Sequence, residues 1–118
     1  MKMKPITLQL SLAPLSAREI DLALAELVRQ QQAVLRSMRQ PHPQGCLLHV
    51  ELEVCLADHA PRWHAERLVA HLWHALGRFV RMSCWFDDAD ELVDGVWLEF
   101  DESDYRDLLP AFRLSRRH

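Results

Sequence analysis

Two stretches of the chain alternate apolar and polar residues, and this alternation constrains the fold more than any other feature. Residues 6–12 read Ile-Thr-Leu-Gln-Leu-Ser-Leu, and residues 46–56 repeat the pattern with Leu or Val at every second position. A period of two is typical of a β-strand with one buried side and one solvent-facing side. The sequence therefore predicts a sheet that is covered by helices on one face only.

Two long amphipathic segments are predicted to supply those helices. Ser16 and Glu19 form a capping box at the start of the first helix, whose apolar stripe continues to about residue 39. Pro61 fits the first turn of the second helix, because proline is tolerated where the backbone N–H has no helical partner. The second helix is expected to run to about residue 80.

The remaining segments complete the predicted fold. Residues 81–86 and 95–100 are expected to form a hairpin, and residues 103–109 a short helix. We therefore predict a single α/β (α+β) domain over residues 1–118, in the order β-α-β-α-β-β-α. About four strands form a mixed sheet with parallel neighbours, and two long helices back it in a two-layer sandwich. The alternative is a ferredoxin-like sandwich with a further, early hairpin.

Charge is strongly segregated along the chain, although the net charge is only −3. Residues 1–86 carry +3, residues 87–107 carry −9, and residues 108–118 carry +3. Such a segment either meets a basic partner or is balanced within the molecule. The acidic segment, as the term is used below, consists of Asp87, Asp88, Asp90, Glu91, Asp94, Glu99, Asp101, Glu102 and Asp104.

Two tryptophans, Trp85 and Trp97, lie on adjacent strands of the predicted hairpin and are expected to pair on the open sheet face. Exposed aromatic side chains of this size indicate a cover, which is the last helix, the C-terminal tail, a second copy in a homodimer, or another protein. RNA-binding sheets also present aromatic residues, but this face is expected to carry Glu51, Glu53, Glu99 and Asp101, which would repel phosphate. The pattern therefore favours a protein partner over nucleic acid.

One side of the second helix carries a stripe of basic residues. The stripe consists of His64, Arg67, His71, His74 and Arg78. Their spacing places all five on the side opposite the apolar residues of the helix. One interpretation is a solvated surface that balances the acidic segment, and the alternative is an anion-binding or phosphate-binding surface. A zinc site needs three or four ligands, and neither Cys nor an acidic residue completes a set here, so no metal is predicted.

Motifs for catalysis, cofactors and membranes are not recognisable. A chain with 3 glycines holds no glycine-rich phosphate loop, and no catalytic motif is present, so neither a catalytic residue nor a cofactor is predicted. Cys46, Cys55 and Cys84 form no C-x-x-C pair, which suits a reducing cytosol. The alternating start lacks a signal peptide's continuous apolar run, and no stretch of about 20 apolar residues could span a membrane. We expect a cytoplasmic location and a bacterial origin. The excess of Arg over Lys, together with abundant Ala and Leu, suggests a GC-rich genome.

These features predict a small non-catalytic interaction protein. Its acidic segment and tryptophan pair would bind a basic protein surface, such as one that itself binds nucleic acid. An inhibitor or accessory factor encoded by a phage or mobile element would suit this size and charge. The alternative is a phosphate-binding or nucleic-acid-binding module that uses the stripe from His64 to Arg78 together with Arg113, Arg116 and Arg117. A third hypothesis is a small metal-dependent hydrolase that uses the carboxylates of the sheet.

Overall fold

The computed structural model of the protein describes residues 5–55, 60–87 and 96–114. In chain order the elements are β1 (Pro5–Leu15), α1 (Ala17–Arg29), β2 (Ala33–His42), β3 (Gly45–Cys55), α2 (Pro61–Leu76), β4 (Arg81–Asp87), β5 (Val96–Phe100) and α3 (Glu102–Ala111). The strands form one antiparallel sheet in the order β2-β3-β1-β4-β5. The structure confirms a mixed α+β architecture, with more strands than the sequence predicts.

The topology corrects the predicted arrangement of the strands. The sheet has five strands instead of about four, and each hydrogen-bonded pair is antiparallel instead of mixed. The expectation of parallel neighbours is wrong because β3 lies between β1 and β2, so the crossover through α1 skips a strand. The first six elements have the β-α-β-β-α-β order of a ferredoxin-like sandwich, the alternative stated above, and β5 and α3 extend it.

The largest error concerns residues 33–42, which the helical spacing assigns to the first helix and which form β2. Helix α1 ends at Arg29 in a Schellman motif, in which Gln31 has a φ of 59°. The backbone N–H groups of Gln31 and Gln32 donate to the carbonyls of Val28 and Leu27, both at 2.9 Å. Glycine is the usual residue at this left-handed position, so the sequence, with Gln31 there, carries no signal that the helix ends.

Strand β2 lies at the edge of the sheet, and nine of its ten residues are exposed. Its apolar side chains, Val34, Leu35 and Met38, are therefore not part of the core, although their spacing imitates a helical stripe. A tight turn joins β2 to β3 at Gly45, which has a φ of 143°. A Cβ atom there would lie 2.7 Å from the carbonyl oxygen of Leu15, so the turn requires glycine.

The core lies between the helices and one face of the sheet. Alternate residues of β1, β3 and β4 are buried there, as the alternation predicts. Trp73 of α2 is fully buried, and its Nε1–H donates to the carbonyl of Val80 at 2.7 Å. Its ring packs edge-on against Phe100 and Tyr105, with centroids 6.3 and 5.4 Å away. This contact ties α2 to β5 and to α3. Among the described residues, the helices all pack in this one core, and none lies on the other face of the sheet.

The ends of the later helices also differ from the predictions. Pro61 is the first residue of α2, as predicted, but the helix ends at Leu76, and Gly77 follows with a φ of 76°. Helix α3 ends at Ala111 instead of stopping before Pro110.

Candidate functional site

The sheet face that is turned away from the core is called the open face here. The strand register aligns its side chains in two rows that cross all five strands. The first row is Arg36, Glu51, Gln9, Trp85 and Trp97. The second row is Met38, His49, Ser11, Ser83 and Glu99. Residues that are distant in sequence therefore meet on one flat surface.

Trp85 and Trp97 lie side by side at one end of the first row. Their ring centroids are 5.9 Å apart with an interplanar angle of 54°. The side chains are 36% and 55% exposed, and Trp97 Nε1 donates to Glu99 at 3.3 Å. The described part of the C-terminal tail does not cover this pair, since Phe112 packs against Trp63 of α2 instead. A large aromatic surface thus remains accessible beside a carboxylate.

Three polar side chains near the middle of the open face form a hydrogen-bonded relay. Ser11 Oγ lies 2.9 Å from Nδ1 of His49, and Nε2 of His49 lies 3.1 Å from Oε1 of Gln9. Ser11 and Gln9 belong to β1, whereas His49 belongs to β3. The sequence alone did not indicate the relay, because each residue resembles an ordinary outward-facing strand position and only the register brings them together.

A cavity of about 190 Å³ opens beside the relay. Ser11, Ala13 and Ser83 line it with small side chains, and the longer side chains of Leu47 and Arg81 border it. The small residues on β1 and β4 leave a depression in the sheet surface that larger residues would fill. Glu99 and His42 also reach this cavity, so its lining combines apolar groups with both signs of charge.

Part of the acidic segment lies outside the described residues, namely Asp88, Asp90, Glu91, Asp94 and the side chain of Asp87. Of the remainder, Glu99 lies on the open face.

Asp101 and Asp104 form a reciprocal capping box at the start of α3. The Asp101 carboxylate accepts from the backbone of Asp104 at 3.0 Å, and Asp104 accepts from the backbone of Asp101 at 2.9 Å. The hydrogen bond from the Asp104 backbone holds the pKa of Asp101 below its usual value. Glu102 occupies the same first turn, where the helix dipole favours a negative charge. These carboxylates therefore also stabilise the fold, a role that the Asp-x-x-Asp spacing signals.

The basic stripe of α2 faces helix α1, and its last member is firmly bound there. Arg78 donates to both carboxylate oxygens of Glu19, at 2.6 and 2.8 Å, and to the carbonyl of Pro14 at 2.7 Å. Hydrogen bonding from Arg78 lowers the pKa of Glu19 from its usual 4.5 to about 2. Arg78 therefore joins the chain beyond α2 to the first turn of α1.

The middle of the stripe contacts Gln30, the C-cap of α1. Its Nε2 donates to Glu26 at 2.7 Å and lies 3.3 Å from Nδ1 of His71, and its Oε1 accepts from Arg67 at 3.2 Å. Burial, together with the charge of Arg67, lowers the pKa of His71. His64 and His74 are also half-buried. The stripe therefore makes contacts with the first helix and its C-cap, while its side chains stay half-buried or, at Arg78, exposed.

The described residues form no cluster of side chains that could bind a metal ion. Within 5–55, 60–87 and 96–114, no group of three His, Cys, Asp or Glu side chains stands close enough to hold a metal ion. The cysteines Cys46, Cys55 and Cys84 are free, and burial raises the pKa of Cys84 to about 12. In the same ranges, none of the helices has the length and apolar character needed to cross a membrane.

Comparison of the chain with protein-family models, with curated proteins and with solved structures returned no significant match. The geometry of the open face therefore carries the functional interpretation.

Proposed function

We propose that this protein is an interaction module that binds a basic protein surface through its open face, together with the acidic segment. The observation that carries this proposal is the exposed pair of Trp85 and Trp97 beside Glu99. Uncovered aromatic pairs of this size favour a partner, because burying apolar area contributes roughly 25 cal/mol per Å². Carboxylates next to the rings favour a partner that presents cationic side chains.

The chemistry of the pair suits arginine and lysine side chains. A cation above a tryptophan ring is stabilised by about 0.5–1 kcal/mol at an exposed site and by more when water is excluded. Glu99 and the exposed Glu53 add negative charge to the open face. Glu51 is already paired with Arg36 at 3.5 Å, so it contributes less to the net field. Aromatic and acidic groups together thus support recognition of a basic partner.

Nucleic-acid binding, the alternative function, has weaker support. Phosphates would meet the carboxylates of the open face, and unfavourable electrostatics would oppose their binding. The basic stripe has few donors left to bind phosphate, since Arg67 already donates to Gln30, the C-cap of α1, and Arg78 to Glu19 of α1. A protein partner is therefore the better fit.

Titration with an oligoarginine peptide tests the proposal, with fluorescence anisotropy of the labelled peptide as the readout. Trp97→Ala is expected to weaken binding about fivefold, which corresponds to the loss of one cation–π contact. Trp63→Ala is the matched control, because Trp63 is 38% exposed but belongs to α2 on the opposite layer. It should leave the affinity unchanged. Equal losses in both variants, or tighter binding of single-stranded DNA than of oligoarginine, would contradict the proposal.

A further inference from the structure

The relay of Ser11, His49 and Gln9 has the arrangement of an activated nucleophile. Gln9 Oε1 is an acceptor, so the Nε2 atom of a neutral His49 carries the ring proton that is shared with it. The lone pair of Nδ1 is then directed toward the Ser11 hydroxyl, 2.9 Å away. A serine bonded to a histidine that a third group orients is the general pattern of nucleophilic catalysis.

The cavity beside Ser11 supplies the second requirement, which is space for a substrate at the nucleophile. Its volume is about 190 Å³, and Ser11 itself lines it. Ala13 and Leu47 give it apolar walls that suit a short hydrocarbon group. Arg81 borders the same cavity, and no ion pair joins it to another described residue. Its guanidinium can stabilise negative charge that develops on an oxygen atom there.

We propose that Ser11 is a catalytic nucleophile that accepts the acyl group of small, short-chain esters, with His49 as its base. Ser11 Oγ attacks the ester carbonyl carbon while its proton passes to Nδ1 of His49. The bond from that carbon to the alcohol oxygen breaks, and the alcohol leaves with the proton from His49. Water then adds to the acyl-serine with His49 again as the base, releases the acid and restores Ser11.

This activity is independent of the proposed binding of a basic partner, and it departs from the expectation of a non-catalytic protein. Gln9 acts through His49 and is a positioning residue. It fixes the imidazole tautomer and orientation, as the third group of a catalytic triad does.

The chain contains a matched control for the nucleophile. Ser83 lies directly opposite Ser11 on β4 and lines the same cavity. The two ring nitrogens of His49, however, are bonded to Ser11 and Gln9. A difference in reactivity between the two serines therefore measures activation by His49 and not mere exposure.

The test combines a fluorophosphonate probe with hydrolysis of p-nitrophenyl acetate by the full chain, and circular dichroism checks the fold of each variant. Intact-mass and peptide mapping of the wild-type protein should show one adduct, at Ser11. Ser11→Ala should remove both the adduct and the hydrolysis, whereas Ser83→Ala should keep the adduct at Ser11, whatever its change to the cavity wall does to the hydrolysis rate. His49→Gln should lower the acylation rate by roughly a hundredfold or more, the usual contribution of a general base.

The role of Gln9 has its own readout. A carboxylate at this position stabilises the protonated imidazole, so Gln9→Glu should move the pH midpoint of acylation upward. Gln9→Leu should lower the rate without that movement. The proposal is overturned if the wild-type protein forms no adduct at Ser11, if Ser83→Ala loses labelling as Ser11→Ala does, or if Gln9→Glu leaves the pH profile in place.

Discussion

Among single residues, Glu19 makes the shortest ion pair of the described chain, with Arg78 at 2.6 Å. Glu19→Gln keeps the capping interaction with Ser16 but removes the charge. We expect the variant to lose about 1–2 kcal/mol of unfolding free energy at pH 7, because a charge-assisted bidentate pair is strong but Arg78 remains partly exposed. Urea unfolding measures the difference.

The same variant predicts a pH dependence. The folded pKa of Glu19 lies at about 2, below its usual 4.5, so its stabilising effect is complete above pH 4.5 and disappears as the pH falls toward 2. The gap between wild type and Glu19→Gln should close over that range. Glu66→Gln is the control, since its pair with Arg62 is longer, at 3.6 Å, and should contribute less than about 0.5 kcal/mol. A gap that persists at pH 2 would contradict the assignment.

At the level of elements, the end of α1 depends on a left-handed glutamine. A non-glycine residue pays roughly 1–2 kcal/mol in this conformation, and glycine costs about 0.5–1 kcal/mol of additional chain entropy. Gln31→Gly should therefore stabilise the protein by about 0.5–1 kcal/mol in thermal or denaturant unfolding. Gln32→Gly, one residue beyond the positive φ, should not stabilise it. A loss of stability in Gln31→Gly would show that the helix end is held differently.

The strands that a sequence pattern can reveal are those with one buried side. Residues of β1 and β3 alternate because every second side chain enters the core, so both strands were predictable. Strand β2 buries none of its side chains, and its apolar residues obey no strand period. Without a glycine at Gln31, local sequence offers no reason to end α1 at Arg29. The place of β2 at the sheet edge follows only from its pairing with β3.

Part of the candidate site could be predicted from local sequence, and part depends on the pairing of distant strands. Trp85 and Trp97 were predictable because a hairpin fixes which residues stand opposite each other. The relay of Ser11 and His49 was not, since 38 residues and a helix separate them and the pairing of β1 with β3 decides their contact. The contacts of the basic stripe with α1 could not be predicted either, because polar residues that meet between two helices have the same spacing as residues on a solvated surface.

For the whole molecule, the open face predicts self-association when no partner is present. The free edge of β2 is a poor dimer contact, because Arg36, Arg39 and Pro41 are residues that oppose strand addition. A twofold contact through the tryptophan pair would bury apolar area instead. Light scattering should then show a dimer in wild type and a monomer in Trp97→Ala. A wild-type monomer at high concentration would remove this prediction.

The distribution of charge over the whole molecule determines how fast the proposed cationic partner associates. Residues 87–107 carry −9, and exposed charges of one sign accelerate the approach of a cationic partner more than they hold the complex together. Reversal of Asp88 and Asp90 to Lys should therefore slow association with oligoarginine in stopped-flow fluorescence and change dissociation much less. The wild-type rate should fall as salt rises, since the screening length decreases from about 10 Å at 0.1 M to about 3 Å at 1 M. The control reverses Asp21 and Glu66, which changes the net charge equally but affects α1 and α2. If both double variants slow association to the same extent, net charge alone explains the rate and the acidic segment is not the binding surface.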